Sequence, residues 1–330
     1  MWAYIFRKLL YNVPVYFGAL LLVFLALRVQ DPVYAYLGPE ATGEEVERLR
    51  QDMGLDKPVV VQFGVYLSNV LTFDFDIPSW NQKGYTVGEI LSRSWIPSLS
   101  ITVPQIALST VIGVLIALLS AYFRGRFIDR FLVIAAVIGM SISFLVFIVF
   151  GQFFLAALPQ EEGWEFAPFA VQGYEHWIGV GGEEGWFLRP SVWAHYCLLP
   201  VLIGVVVSMG YDTRFYRAVM VEETGRDYIT TATAKGATKP KIMFVHMLKN
   251  AMIPVVTRVM STLPFVVVGS ILLEMYFSIP GMGREIITAI NARDFPVIQY
   301  FVAVFALIFI ISVILTDVLY AVFDPRVRLS

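Results

Sequence analysis

The stretch from Tyr228 to Gly236 is made for recognition rather than bond-making. Ala232, Ala234 and Gly236 leave a helix surface flat enough for another protein to approach closely, and Lys235 sets a positive charge beside them. A lipid bilayer has no use for such a surface. Thr224 or Asp227 can cap a helix through Tyr228, Gly236 can end it in the left-handed conformation, and Thr238 with Pro240 can open a second. The expectation is two short helices joined by a sharp turn. They would carry Asp227, Tyr228, Ala232, Ala234, Lys235, Gly236, His246 and Asn250 towards a partner.

Little else in the chain is equipped for chemistry. Cys197 stands alone, so no internal disulfide can form, and three scattered histidines without companion thiols make no zinc site. No metal and no cofactor are expected. His246 has no nucleophile at a recognisable distance in sequence, so no catalytic residue is assigned and an intramembrane enzyme is disfavoured. No segment has the spacing Gly-x-x-x-x-Gly-Lys-Ser/Thr that cradles phosphates, so the chain carries no motor of its own. Two charges do stand inside apolar runs, Arg258 and Asp317. Snorkelling of Arg258 to the headgroups is the simpler reading, and their similar depth, one to two turns from the cytoplasmic end, makes an interhelical pair the sharper one.

What must position these residues is a membrane bundle. Of 330 residues 58% are hydrophobic and only 15% charged, and the mean hydropathy of +0.70 is far above that of a soluble domain. A helix needs about 20 mostly apolar residues to cross the hydrocarbon core. Six runs qualify, near Leu9 to Leu27, Pro97 to Phe123, Phe131 to Leu158, Trp193 to Tyr211, Met252 to Leu273 and Val297 to Phe323. The first is longer than a signal-peptide core and no small-residue cleavage site follows it, so it reads as a retained anchor.

Charge sets the orientation. Arg7 and Lys8 precede the first run, and Arg124, Arg126 and Arg130 face Asp129 alone between the second and third. Seven bases against four acids lie between the fourth and fifth, and Arg326 and Arg328 close the tail. By contrast the segment from Arg28 to Ser94 holds ten acids against six bases, and that from Leu158 to Ala194 six acids against Arg189. The basic segments alternate with the acidic ones, which puts both termini in the cytoplasm and agrees with an even count of six. The net charge of -2 adds nothing that would attract nucleic acid.

Three regions follow: an anchor over 1–30, an extracytoplasmic segment over 31–94, and a five-span core over 95–330. The core contains an outer insertion at 158–194 and a cytoplasmic loop at 212–250. In the first outer segment Thr42 can cap a helix with Glu45 three residues on, and Val46, Leu49 and Met53 repeat at helical spacing until Gly54. The insertion carries Trp164, Trp177, Trp186 and Trp193, which read as interfacial aromatics or as a docking surface for an outer partner. Arg293 and Asp294 read as a charged pair that orders an outer loop. Prolines 104, 200, 254 and 264 are candidate kinks or hinges.

Spaced blocks then converge on one resemblance. Tyr228, Ile229, Ala232, Ala234, Lys235, Gly236, His246, Asn250 and Pro254 resemble the cytoplasmic coupling loop of the oligopeptide and dipeptide class of ABC-transporter permeases. Glu274 to Gly283, Ala292 to Pro296, Asp324 to Arg328, Arg7 to Leu10 and Gly54 to Pro58 are similar to further blocks of that family, so the likeness covers nearly the whole chain. It implies an all-α integral membrane protein of type I importer architecture in a bacterial inner membrane. It also implies a second related permease, cytoplasmic ATPase subunits that receive the loop helix in a groove, and an extracytoplasmic substrate-binding protein, with lipid around the spans. The implied cargo is peptide, with nickel or another small solute as the alternative. The substrate-binding residues are not assigned. A stand-alone secondary transporter would predict internal repeats that are not found. The chain departs from the pattern at Thr230 and Thr231, in the length of the tryptophan-rich insertion, and at Arg258.

Overall fold

The computed structural model describes residues 2–29, 33, 37, 42–52, 55–163, 168–181, 185–268 and 271–323. Twelve helices are described: α1 (Trp2–Ala26), α2 (Gly43–Asp52), α3 (Val59–Thr72), α4 (Val87–Tyr122), α5 (Phe127–Ser141), α6 (144–161), α7 (Pro190–Glu223), α8 (Asp227–Ala234), α9 (239–268), α10 (Ile271–Tyr276), α11 (Met282–Asn291) and α12 (Phe295–Phe323). Six of them contain stretches long and apolar enough to cross a membrane: Phe6–Ala26, Val87–Tyr122, Phe144–Glu161, Pro190–Glu223, Lys239–Thr262 and Phe295–Val318. Two strands, β1 (Ile178–Gly181) and β2 (Gly185–Leu188), pair antiparallel within the 158–194 segment, a small exception among the described helices.

Several span boundaries differ from the sequence expectation, and α4 already begins at Val87, ten residues before Pro97. The apolar run 131–158 is divided, because Ile142 and Ser143 are extended with ψ of 133° and 140°. Ser141 precedes the break, and its hydroxyl donates to the Val137 carbonyl at 2.9 Å, in competition with the helix ladder. With 15 residues α5 reaches about 22 Å, short of the hydrocarbon core, and α6 takes the third place. α7 continues twelve residues past Tyr211, to Glu223. α9 starts at Lys239, well before Met252, and passes through a π-helical segment at Ile242–Met247.

The chain divides into two compact units. The first contains residues 1–96 and 280–318. Its core gathers Leu20 and Phe24 of α1, Tyr66 and Val70 of α3, and Val297, Tyr300 and Phe301 of α12, all buried. The Tyr66 ring lies 5.8 Å from that of Phe24 and 5.3 Å from that of Tyr300, and its hydroxyl donates to the Gln299 carbonyl at 3.0 Å. Only α2 is anticipated in this outer segment. There the Glu45 carboxylate accepts from the Thr42 amide at 3.1 Å and from its hydroxyl at 2.8 Å, half of a capping box. The helix terminator assigned to Gly54, and Met53 before it, lie outside the described residues, as does the tail block 324–328.

Asp294 in this unit works differently from the expectation. Its buried carboxylate accepts from the Ser79 hydroxyl, from the backbone amides of Trp80 at 3.2 Å and Asn81 at 3.0 Å, and from Val297 three residues on. It caps α12 and pins the 79–81 loop, and no Arg293–Asp294 ion pair occurs among the described residues. Arg293 sits beside it at φ 56°.

The second unit contains residues 97–279. α7 runs through its middle and is packed on small residues. A Cβ on Gly210 would meet the Met140 side chain at 2.6 Å and the Ala136 carbonyl oxygen at 3.0 Å, so α5 and α7 touch closely there. One apolar cluster contains Ile101, Ile148, Leu199, Val201, Leu273 and Phe277. The other contains Ala117, Leu118, Tyr216, Met220, Met243 and Met247. The described tryptophans of the insertion turn inward. Trp177 donates to the Ser100 hydroxyl at 2.7 Å and Trp193 to the Ser100 carbonyl at 3.0 Å, fastening the insertion to α4. Trp164 and the Trp186 side chain lie outside the described residues.

Candidate functional site

The loop expected over 212–250 is mostly helix. α7 reaches Glu223 on one side and α9 begins at Lys239 on the other, so only 224–238 remain as the connection. Within it α8 spans eight residues. The expected second short helix is therefore the beginning of α9, which carries His246 in its π-helical segment and Asn250 one turn later. Thr238 holds the N-cap position with Pro240 in the first turn, where a missing amide proton costs nothing. Neither Thr224 nor Asp227 caps α8. Arg226 occupies that position and Thr224 donates to the Val221 carbonyl.

The C-terminal end of α8 is closed by a Schellman motif. The Ala237 amide donates to the Ala232 carbonyl at 3.1 Å and the Gly236 amide to that of Thr233 at 2.9 Å. Gly236 has φ +76°, which is why a residue without a Cβ stands there. The seat of α8 is apolar. Ala232 is buried, and Ile229 packs against the cluster of Met220, Met243 and Met247. The exposed side is formed by Thr230, Thr231, Thr233, Ala234, Lys235 and Gly236. The flat surface of small residues is thus split, with Ala232 facing inward and three threonines sharing the outer side with Ala234.

Polar contacts fix the flanks. The Tyr228 hydroxyl donates to the Glu223 carboxylate; burial first, and then that carboxylate, push the phenol up to about 12. Arg226 pairs with Glu222 at 2.6 Å. Lys239 donates to the Tyr122 carbonyl at 2.6 Å and lies 4.2 Å from the centre of its ring. The Asn250 side chain donates back to the His246 carbonyl at 3.1 Å.

A clamp lies a few turns away, unanticipated as a unit. Asp129 stands in the first turn of α5, before the apolar run at Phe131, and is 4% exposed. Arg217 of α7 grips it with two bonds, Nε to Oδ1 at 2.9 Å and Nη2 to Oδ2 at 3.0 Å. The Ser120 hydroxyl of α4 donates to Oδ1 and accepts from Arg217 Nε, and the Gly125 amide donates to Oδ2 at 2.9 Å. The Arg217 guanidinium holds this carboxyl well below the usual carboxylate range against the opposing effect of burial, and Ser120 and the Gly125 amide add to it. One side chain thus ties α4, the 123–126 turn, α5 and α7 together. The signal in the sequence was a lone acid among Arg124, Arg126 and Arg130.

Arg258 and Asp317 each have a partner other than the one expected. Arg258 Nε lies 3.4 Å from Asp212 Oδ1 on α7, and Asp317 pairs with Lys8 of α1. Among the described residues no group of three metal-ligating side chains occurs.

Comparison with known proteins agrees with this architecture over the whole chain. Residues 110–329 match the family described as binding-protein-dependent transport system inner membrane component, and residues 1–81 match the N-terminal region defined for the same class of membrane components. The chain is 34% identical over 327 residues to the glutathione transport system permease protein GsiC of Shigella flexneri serotype 5b, covering 98% of each sequence. The same identity and coverage hold for the proteins of that name from Escherichia coli K12 and Shigella boydii serotype 4.

Proposed function

This chain belongs to the family of binding-protein-dependent transport system inner membrane components, as a multi-pass permease of the peptide-importer type in a bacterial inner membrane, and on that footing we propose how it works. It forms half of a translocation pathway with a second related permease and accepts small peptides from an extracytoplasmic binding protein. Solutes of glutathione size fit the names of its relatives. It takes its energy from separate ATPase subunits that grip α8.

One observation carries the coupling role. α8 is seated on the bundle through Ile229 and Ala232, and its opposite side, at Thr230, Thr231 and Thr233, is exposed. Only three residues separate it from α7 and four from α9, so a displacement of α8 has no slack in which to dissipate. Asp227, Tyr228, Lys235 and Gly236 shape its ends, while His246 and Asn250 belong to the base on which it sits.

Site-directed cross-linking in the assembled transporter tests this reading. Cysteine at Thr231 should cross-link to an ATPase subunit and cysteine at Ala232 should not. Gly236→Arg should abolish uptake while membrane insertion stays normal. Uptake retained in Gly236→Arg, or equal cross-linking from both positions, overturns the assignment.

A further inference from the structure

The second unit holds two Arg–Asp pairs of opposite construction. Arg217 and Asp129 share two bonds at 2.9 and 3.0 Å, with Ser120 and the Gly125 amide filling the remaining acceptor positions. That pair has nothing left to exchange. Arg258 and Asp212 share one contact at 3.4 Å, at the long limit of a hydrogen bond. The Arg258 side chain is 40% exposed and that of Asp212 only 14%. The Phe215 ring lies 5.9 Å from the guanidinium of Arg258. Both residues lie in helices that cross the membrane, where an ionisable side chain is expensive and marks a pathway more often than a scaffold.

A cavity of about 60 Å3 adjoins the loose pair, and its walls are mixed: Ser109 and Thr110 of α4 and Ser208 and Tyr216 of α7 offer hydroxyls beside the apolar side chains of Ile106 and Val259. Next along the same helices the Gln105 amide donates to the Ser208 hydroxyl at 3.4 Å, and its carbonyl oxygen is buried with no partner. Gln105 fits only because residue 204 is glycine, since a Cβ there would lie 2.4 Å from its amide carbon. A seam of hydroxyl, amide and charge thus follows α4, α7 and α9 where apolar side chains would pack more cheaply. The cavity has the volume of about two water molecules, which accommodates a carboxylate group but not a whole residue.

We propose that Arg258 is a carboxylate subsite of the translocation pathway, which exchanges its single contact with Asp212 for a two-bond grip on the C-terminal carboxylate of a passing peptide. This rests on the peptide-permease reading given above. The planar guanidinium matches a carboxylate bidentately, a geometry that Asp212 does not supply here. A carboxylate left buried without a partner neutralises by taking up a proton, so Asp212 does not remain as a stranded charge when the contact is released. A pair meant only to hold helices together is built like Arg217 and Asp129.

The test uses the complete transporter, reconstituted in vesicles with its partner permease, ATPases and binding protein, and supplied with trialanine or trialanine amide. The affinity of the binding protein for each peptide is measured in parallel and divided out. Wild type should take up the free acid about ten-fold faster than the amide, the size of one lost charge-assisted bond. Arg258→Gln should bring that ratio to within about two-fold by slowing the acid alone, and Arg258→Lys should retain most of it. An equal loss on both peptides in Arg258→Gln, with the complex still assembled, makes the residue structural and overturns the proposal. So does an unchanged ratio. Wild-type vesicles that take up neither peptide, while the binding protein binds both, sink the peptide reading itself rather than the subsite alone.

Discussion

Replacing Asp129 by asparagine should be the most destabilising conservative change in the second unit. The amide side chain would keep the shape and lose the charge, so that four donors, Arg217 Nε and Nη2, the Ser120 hydroxyl and the Gly125 amide, lose a shared anionic acceptor. Breaking a buried ion pair by removing one partner costs about 3–5 kcal/mol. The Arg217 side chain is 28% exposed and can turn its charge to water, which puts the expected cost near the lower end, about 3 kcal/mol. For a unit of this size that corresponds to a melting temperature lower by roughly 6–12 °C. The assay is thermal unfolding of the purified complex in detergent. The double variant Asp129→Leu with Arg217→Met should recover much of the loss, because it removes both charges together. The pH dependence has a definite sign. A carboxyl depressed below its usual 3.8 contributes stability that is fully present above that value and is lost only as the pH falls through the folded-state value. The difference between wild type and Asp129→Asn should therefore hold from about pH 8 to about pH 5 and shrink only below about pH 4. A difference already gone by about pH 5, or a shift of less than about 1 °C, would refute the reasoning.

Three further outcomes are expected. Gly236→Ala keeps the space, since nothing lies within 4 Å of its Cβ position, but strains φ +76°; it should cost about 1 kcal/mol and raise amide exchange at Gly236 and Ala237. Gly210→Leu would drive a side chain into Met140 and the Ala136 carbonyl, and should lower the yield of folded protein or cost about 1–3 kcal/mol in thermal unfolding. Tyr228 should stay protonated beyond the usual 10.0. Because its folded-state value is raised, its contribution is complete below about pH 10 and lost as the pH rises through about 12, so the ultraviolet difference between wild type and Tyr228→Phe should show no phenolate at about pH 10.5.

The sequence carried the span count because a long apolar run without interior charge has few other uses, and α1, α4 and α12 lie where such runs were found. It misplaced the ends of α7 and α9 for a related reason. The residues from Asp212 to Glu223 and from Lys239 to Ala251 are charged or amphipathic, and hydropathy marks where an apolar run stops, not where the helix stops. The break at Ile142 and Ser143 was missed because both flanks are apolar and a serine does not by itself end a helix. α3 escaped notice because its 14 residues are too few to span, although Tyr66 and Val70 give it an inward face.

The functional residues divide along the same line. Gly236 and Thr238 were readable because turn chemistry is local: a left-handed residue and an N-cap are specified within a few positions. The Asp129 clamp was not, because its members are 88 and 97 positions from Arg217 in chain terms and meet only through packing of α4, α5 and α7. The paired charges failed in an instructive way. Equal depth was the reason to join Arg258 to Asp317, but depth fixes only one coordinate in a bundle, and the azimuth of each helix decides the partner. Asp212, counted at the sequence level as one of four loop acids, turns out to lie within the continuous helix α7 and to be 14% exposed beside Arg258. An acid that composition assigns to a loop and geometry assigns to a helix core is the residue whose variants separate recognition from scaffolding. Asp212→Asn should therefore leave Arg258 able to take a carboxylate, so that reconstituted transporter carrying this variant keeps the faster uptake of trialanine over trialanine amide; loss of that ratio would make Asp212 part of the recognition itself.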